Sequence, residues 1–422
     1  MYVSFADWTG QRGSVVWGTN AGAEPLAFQN WRRFKEAFAP ELIARAINET
    51  SAALGRPVRS TIDPFAGSGT TLLASQFLGV HSTGIEVNPY LADLAEAKLT
   101  PVDGQTVATA LAEVLTSART IDAAQFYSGA PATFVEPGVK GRYLFSEAVG
   151  NRLAGLVTAI MRIPDPHVLR FLRVLLGSAA LEVCNAIVSG KGRRYRRNWE
   201  LRRMAPQDLD RAFIEAVESA IFDAVRYASR RSLDYTFRRG DAREHVKEVG
   251  EADVAIFSPP YPNSFDYTDV YNIELWALGY LRAPKENTDL RHATLRSHVQ
   301  IKRDMTACEP VPMIADAIGQ LRDKPDLWNR AIPDMIGAYF SDLKGILVEL
   351  RRMLPDKGRV YMVVGDSRYS GVDIPVAAAL SAIAPGLGFD VVDVEPFRSM
   401  RASPQQGGRL ELAESLITLS AG

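Results

Sequence analysis

The sequence predicts an α/β fold: a mostly parallel central sheet that carries a mainly helical insert. Three observations predict it. Short apolar runs bounded by turn formers alternate with stretches of helical period over residues 58–99, and again from residue 235 onward. Between them, residues 101–232 lose the alternation and read as helix. The glycine-rich turn Asp63–Thr70 falls between a strand and a helix, where an open parallel sheet presents its ligand side.

Taken in order, residues 1–30 are mixed and show no clear period. From Trp31 to Leu54 the apolar positions Phe34, Phe38, Leu42, Ile43 and Ile47 recur at helical spacing. Val58–Ile62 reads as a strand, Leu72–Leu78 as a helix, Ser82–Glu86 as a strand and Pro89–Leu99 as a helix. The insert includes a polar piece near Gly129–Gly141. Strand character returns at Tyr235–Phe237 and Asp253–Phe257, followed by an apolar-aromatic helix over Val270–Leu281. Residues 282–330 look polar and irregular. Helices are expected over Asp342–Leu354 and Pro375–Ala384, the proline being tolerated in a first turn. Strands are expected at Arg359–Val364, Val391–Glu395 and Ser415–Leu419. This gives a main domain from 31–100 and 233–422, a helical insert at 101–232, and a second insert at 282–340 placed to act as a lid or a partner-binding region.

A chain of 422 residues, 47% hydrophobic and 23% charged, can bury a sizeable core. No uninterrupted apolar run reaches the roughly 18 residues of a membrane span, so no membrane partner is expected. The start lacks the basic and apolar regions of a secretory signal. Two cysteines exclude a disulfide framework and fit a cytoplasmic location. His292 and His298 have no companions at metal-ligand spacing, so no metal is expected.

The motifs carry the chemistry. In Asp63-Pro64-Phe65-Ala66-Gly67-Ser68-Gly69-Thr70, the glycines let the backbone bend and approach a ligand closely. No Lys-Ser/Thr follows, so this is not a phosphate loop. Glu86 ends the next strand, where an acidic group often holds ribose hydroxyls. Asp241 ends the third strand and is placed to accept from an adenine amino group or to cap a loop. Ser258-Pro259-Pro260-Tyr261 follows the apolar strand 253–257. Consecutive prolines cannot continue a strand ladder, but they present rigid carbonyl oxygens. Ser258 Oγ and the Pro259 carbonyl suit the two N–H bonds of an exocyclic amino group. Its lone pair then faces an electrophile such as a methyl carbon on a sulfonium. Orientation and desolvation suffice, without a metal or strong base. Tyr261, with Phe265 and Tyr267, supplies aromatic walls, although the last two also suit plain packing.

Together these motifs resemble the amino-methyltransferase family of DNA methyltransferases, which modify cytosine N4 or adenine N6. The resemblance covers roughly 31–99, 235–281 and 342–420. It implies a Rossmann-like fold and S-adenosylmethionine as cofactor, held by Asp63, Pro64, Phe65, Gly67, Ser68, Gly69, Thr70, Glu86 and Asp241. Trp31–Pro40 is similar to the family segment that closes over the methionine end of the cofactor, with Phe34, Lys35 and Phe38 at the matching positions. Adenine enzymes of the family usually begin the catalytic motif with Asp, and cytosine-N4 enzymes often with Ser. Ser258 therefore points to cytosine. Here a long insert precedes the Asp241 strand, a departure from the simplest motif order that leaves the subclass open. Such enzymes usually accompany restriction systems.

Reaching an amino group in a duplex requires the base to be flipped out. A net charge of −1 means that any grip on double-stranded DNA is local. The segment 189–203 is the candidate, with Lys191, Arg193, Arg194, Arg196 and Arg197 around Tyr195. A solvated basic helix face is the plainer reading. Adenine N6, an RNA amino group or a glutamine side-chain amide remain as alternative targets. So does a non-enzymatic DNA-binding protein, and both monomer and dimer stay open.

Overall fold

The structure is a computed structural model. It describes all residues except 1, 11, 13–15, 20–24, 33–37, 190–191, 264, 308–310 and 402–410. Phe34, Lys35 and Lys191 lie outside the described residues.

Eleven strands are described: β1 (Ser60–Asp63), β2 (His81–Glu86), β3 (Ala186–Ser189), β4 (Gly192–Tyr195), β5 (Tyr235–Arg239), β6 (Val254–Phe257), β7 (Arg359–Gly365), β8 (Ser367–Tyr369), β9 (Val372–Ile374), β10 (Phe389–Arg401) and β11 (Glu411–Ala421). Seven form one sheet in the order β10-β11-β7-β6-β1-β2-β5. From β5 to β7 all pairings are parallel; β11 joins β7 and β10 antiparallel. The chain winds outward from β1 through β2 to β5, then returns to β6 on the other side of β1. That reversal opens a crevice at the carboxyl ends of β1 and β6. This is the Rossmann-like methyltransferase arrangement, with an antiparallel pair closing one edge.

β6 is buried at every position, as expected of a central strand covered on both faces. One covering layer includes the helices Pro40–Leu54, Thr70–Leu78 and Pro89–Leu99; the other is built around Ile332–Met353. The helix Pro89–Leu99 falls where the sequence predicts. The Asn88 side chain accepts from Tyr90 and Leu91 N–H, and proline at its first position needs no hydrogen bond.

Four elements differ from expectation. The helix predicted from Trp31 begins only at Pro40, since a proline takes a first turn more readily than an interior. The helix expected over Val270–Leu281 is two short ones, Tyr267–Val270 and Asn272–Ala277, with Gly279 turning out at φ 70°. The second insert contains the helices Pro284–His292 and Pro312–Arg322. The long helix starts at Ile332, ten residues before Asp342. The first insert is helical over Gly104–Ser117, Glu147–Ile160, Pro166–Val183 and Pro206–Arg226, and adds the β3–β4 hairpin. Its apolar faces belong to the same core cluster as the helices Pro40–Leu54 and Thr70–Leu78.

Candidate active site

β1 and β6 are hydrogen-bonded neighbours running in the same direction, so the turns that leave them emerge side by side. Both turns line one cavity of about 400 Å³, a size suited to a small-molecule site.

On the β1 side, the buried Asp63 carboxylate accepts from Phe65 N–H at 2.9 Å and from the Thr71 hydroxyl at 2.6 Å, folding the turn back on itself. Gly67 has φ 52° and donates its N–H to Glu86 Oε2 at 2.8 Å; Glu86 Oε1 accepts from Asn88 N–H at 2.7 Å. Burial pushes both carboxyls up to about 7, against hydrogen bonds that favour their ionised forms. Asp63, Pro64, Phe65, Gly67, Ser68, Thr70, Glu86 and Asp241 all line the cavity, as does Phe38. Gly69 does not. It caps the helix Thr70–Leu78 at φ 83°, where an added Cβ would stand 2.8 Å from Ala95 Cβ. Asp241 caps a short helix by accepting from Arg243 N–H, and its carboxylate pairs with the Arg243 guanidinium at 2.6 Å.

The wall fits the expected S-adenosylmethionine. Ser68 Oγ and Thr70 Oγ1 are buried without a hydrogen-bond partner among the described residues, and both belong to the cavity wall. Groups of that kind call for a polar ligand. Glu86 would hold ribose hydroxyls and the Asp63–Thr70 turn would cradle the rest. When bound, the cofactor supplies an electrophilic methyl group.

On the β6 side, Ser258, Pro259, Pro260 and Tyr261 line the same cavity, joined by Phe265 and Tyr267, whose rings meet edge to face at 4.8 Å. The Tyr369 hydroxyl donates to the Pro262 carbonyl at 2.9 Å and fixes the exit of the turn. The Tyr261 hydroxyl donates to Glu414 Oε1 at 2.7 Å, and burial beside that carboxylate pushes the phenol well above its ordinary range.

Several wall residues were not singled out from the sequence. Glu414 and Arg398 come from β11 and β10, Asn263 from just past the proline turn, and Ala293, Thr294, Leu295 and Ser297 from the second insert, beside His298, noted in the sequence only for its lack of metal-ligand companions. That segment is tied down by Arg296, which pairs with the buried Asp342 at 2.6 Å. Burial pushes His298 down to about 4, leaving a neutral imidazole. A carboxylate interrupting the apolar stretch Leu412–Leu419 was the available signal for Glu414. Asp366, by contrast, accepts from Ala377 N–H at the start of the helix Val376–Ile383.

The basic segment is a hairpin rather than a helix face. Arg196 is turned inward, donating to the carbonyls of Cys184 and Leu181 at 2.9 Å, where it closes the carboxyl end of the helix Pro166–Val183. Arg193 and Tyr195 instead line a separate notch with Thr133, Val139, Lys140 and Arg142. Lys140, Arg142 and Arg193 are exposed and form no ion pair among the described residues. Arg194 and Arg197 are exposed on the same hairpin and its exit. β4 packs against the helix Tyr267–Val270, which places the hairpin beside the turn Ser258–Tyr261. Among the described residues there is no cluster able to hold a metal ion, and no helix long and apolar enough to cross a membrane.

Comparison with known proteins agrees with this geometry. A family model described as a DNA methylase, of the N6/N4 methyltransferase type, matches residues 9–97. The Type II methyltransferase M.AvaI of Anabaena variabilis is 26% identical over 423 residues, covering 89% of this chain and 82% of its own. M.BsoBI of Geobacillus stearothermophilus is 24% identical over 452 residues, covering 92% and 85%. Among solved structures, the rRNA methyltransferase aviRa of Streptomyces viridochromogenes covers 91% of this chain and 86% of its own at 12% identity and a TM-score of 0.28, too low for any argument to rest on it. The two turns on neighbouring strands, their shared cavity and these relatives point the same way: the chain resembles the amino-methyltransferase family of DNA methyltransferases, and S-adenosylmethionine is its cofactor.

Proposed function

We propose that this enzyme methylates the N4 amino group of cytosine within a specific double-stranded DNA sequence, after turning the base out of the helix. The likeness to these methyltransferases supports the coarser activity, an S-adenosylmethionine-dependent DNA amino-methyltransferase. The observation that carries the finer reading is the opening of Ser258–Tyr261 into the cavity shared with the Asp63–Thr70 turn.

Ser258 Oγ and the Pro259 carbonyl accept the two amino hydrogens, and Tyr261, Phe265 and Tyr267 wall the base. The surrounding apolar surface excludes water, so the nitrogen lone pair stays free for transfer. Ser258 favours cytosine because a neutral hydroxyl at this position matches the family's N4 pattern. The relatives bear the name Type II methyltransferase, which supports a restriction-modification setting.

The double strand is held beside the cavity at the notch of Lys140, Arg142, Arg193 and Tyr195, with Arg194 and Arg197 flanking it. Arg196 contributes by holding the hairpin rather than by touching phosphate. Lys191 belongs to the same basic segment.

Base-resolved mapping of DNA from cells expressing the chain tests the proposal. N4-methylcytosine at one recurrent sequence is expected. N6-methyladenine there would overturn the cytosine reading, and unmodified DNA would overturn the reaction.

A further inference from the structure

Glu414 stands on β11 with its carboxylate on the cavity wall, only 4% exposed. Among the apolar residues of that strand a leucine would pack at no electrostatic cost, whereas a carboxylate must be compensated. Its surroundings are specific. Oε1 accepts from the Tyr261 hydroxyl at 2.7 Å. The Ser258 hydroxyl in turn donates toward the Tyr261 oxygen at 3.4 Å, a longer contact. Oε2 lies 3.4 Å from Arg398 Nε, directly across the β10–β11 ladder, and accepts no hydrogen bond among the described residues.

A hydroxyl has one hydrogen and two lone pairs, while an ionised carboxylate only accepts. The carboxylate therefore sets the direction of the whole row. Glu414 takes the hydrogen of Tyr261, the Tyr261 oxygen takes that of Ser258, and Ser258 keeps only lone pairs for the cavity. An amino group donates hydrogens and needs such acceptors. Without the carboxylate the row can reverse, and Ser258 would then offer its hydrogen where the base also offers one.

We propose that Glu414 is a positioning residue that fixes this direction and thereby makes Ser258 an acceptor for the amino group of the target base. The inference rests on reading the site as amino-methylating. It assigns Glu414 no contact with the reacting atoms. Burial holds the Glu414 carboxyl above its ordinary range, while the Tyr261 hydrogen bond and the Arg398 charge favour the ionised form that the row requires.

The test measures binding rather than turnover. Duplexes carry the mapped recognition sequence with the target base either intact or replaced by the same ring lacking its amino group: 2-pyrimidinone for cytosine, purine for adenine. Affinity is measured in the presence of S-adenosylhomocysteine, the product that cannot transfer. The parental enzyme is expected to prefer the intact base by roughly tenfold, the worth of a well-made buried hydrogen bond. Glu414→Gln keeps the shape, but its amide can also donate. Tyr261→Phe keeps the ring and cuts the row. Each should lose most of the preference while retaining S-adenosylhomocysteine affinity, and the double variant should lose no more than either alone.

Parental preference in Glu414→Gln, or losses that add in the double variant, would overturn the proposal. Should Glu414→Gln fail to fold, Tyr261→Phe decides alone, and a retained preference sinks it. A parental enzyme that modifies no amino base fails earlier, at the mapping step, so failure of the reaction reading is told apart from failure of this one.

Discussion

Glu86 holds two backbone N–H groups while facing a cavity that suits a ribose. Its carboxyl and that of Asp63 both titrate near 7 in the folded chain, against about 4 when unfolded. Between those limits the folded state binds the extra protons, so these two groups make the cofactor-free protein less stable as pH rises from 4 towards 7. Cofactor binding has the opposite sign, because only the ionised carboxylate accepts two hydroxyls. Affinity measured by calorimetry should fall as pH drops from 8 to 6. Glu86→Gln should weaken it roughly tenfold to a hundredfold and flatten that slope, the range for hydrogen bonds to a charged group. Asp63→Asn should keep the slope, since Asp63 is engaged by Thr71 and Phe65. An unchanged slope in Glu86→Gln would move the ribose site elsewhere. Residues such as Glu86 and Ser258 were legible in the sequence because each adjoins a local signal, a strand end or a proline pair. Glu414 has only a weak local signal, a carboxylate within a strand, which does not point to its partner Tyr261, 153 residues away.

The β3–β4 hairpin separates two kinds of arginine that look alike in one dimension. Changing Lys140, Arg142 and Arg193 together to glutamine should lower the salt dependence of DNA binding by about three phosphate contacts, at roughly 0.9 per contact in the log-log slope. Arg196→Ala should leave that slope alone and instead cost on the order of 1–2 kcal/mol in urea unfolding, through the lost closure of the helix Pro166–Val183. A parental slope in the triple variant would transfer the grip to another surface. The segment 293–298 offers a second case. Arg296→Ala removes the guanidinium at 2.6 Å and leaves the buried Asp342 with the backbone N–H of residue 296 at 3.0 Å and the longer Arg243 contact at 3.3 Å. About 2–3 kcal/mol of stability should go, less than for a fully buried pair because Arg296 keeps some solvent contact, and cavity closure should loosen with it. Polarity hid the helix Pro284–His292, which buries no residue and so carries no apolar period.

The first insert, the N-terminal segment and the sheet share one core. Asp223, on the insert helix Pro206–Arg226, accepts from Phe28 N–H at 2.8 Å and from the Trp31 indole at 3.0 Å. Arg32 pairs with the wholly buried Glu274 at 2.6 Å, joining that segment to the helix Asn272–Ala277. Periodicity identified the insert as helical but could not say what it covers, since an apolar stripe does not name its partner. Urea unfolding should therefore give one transition, with far-ultraviolet and tryptophan signals coincident; separated transitions would show the insert folding by itself. The antiparallel edge has a consequence for biosynthesis. β11 supplies Glu414 to a pocket whose other walls are encoded up to 396 residues earlier, at Gly18. A nascent polypeptide still on the ribosome thus carries both proline and glycine turns before the strand that completes their cavity exists, so the pocket closes only after translation has passed that strand.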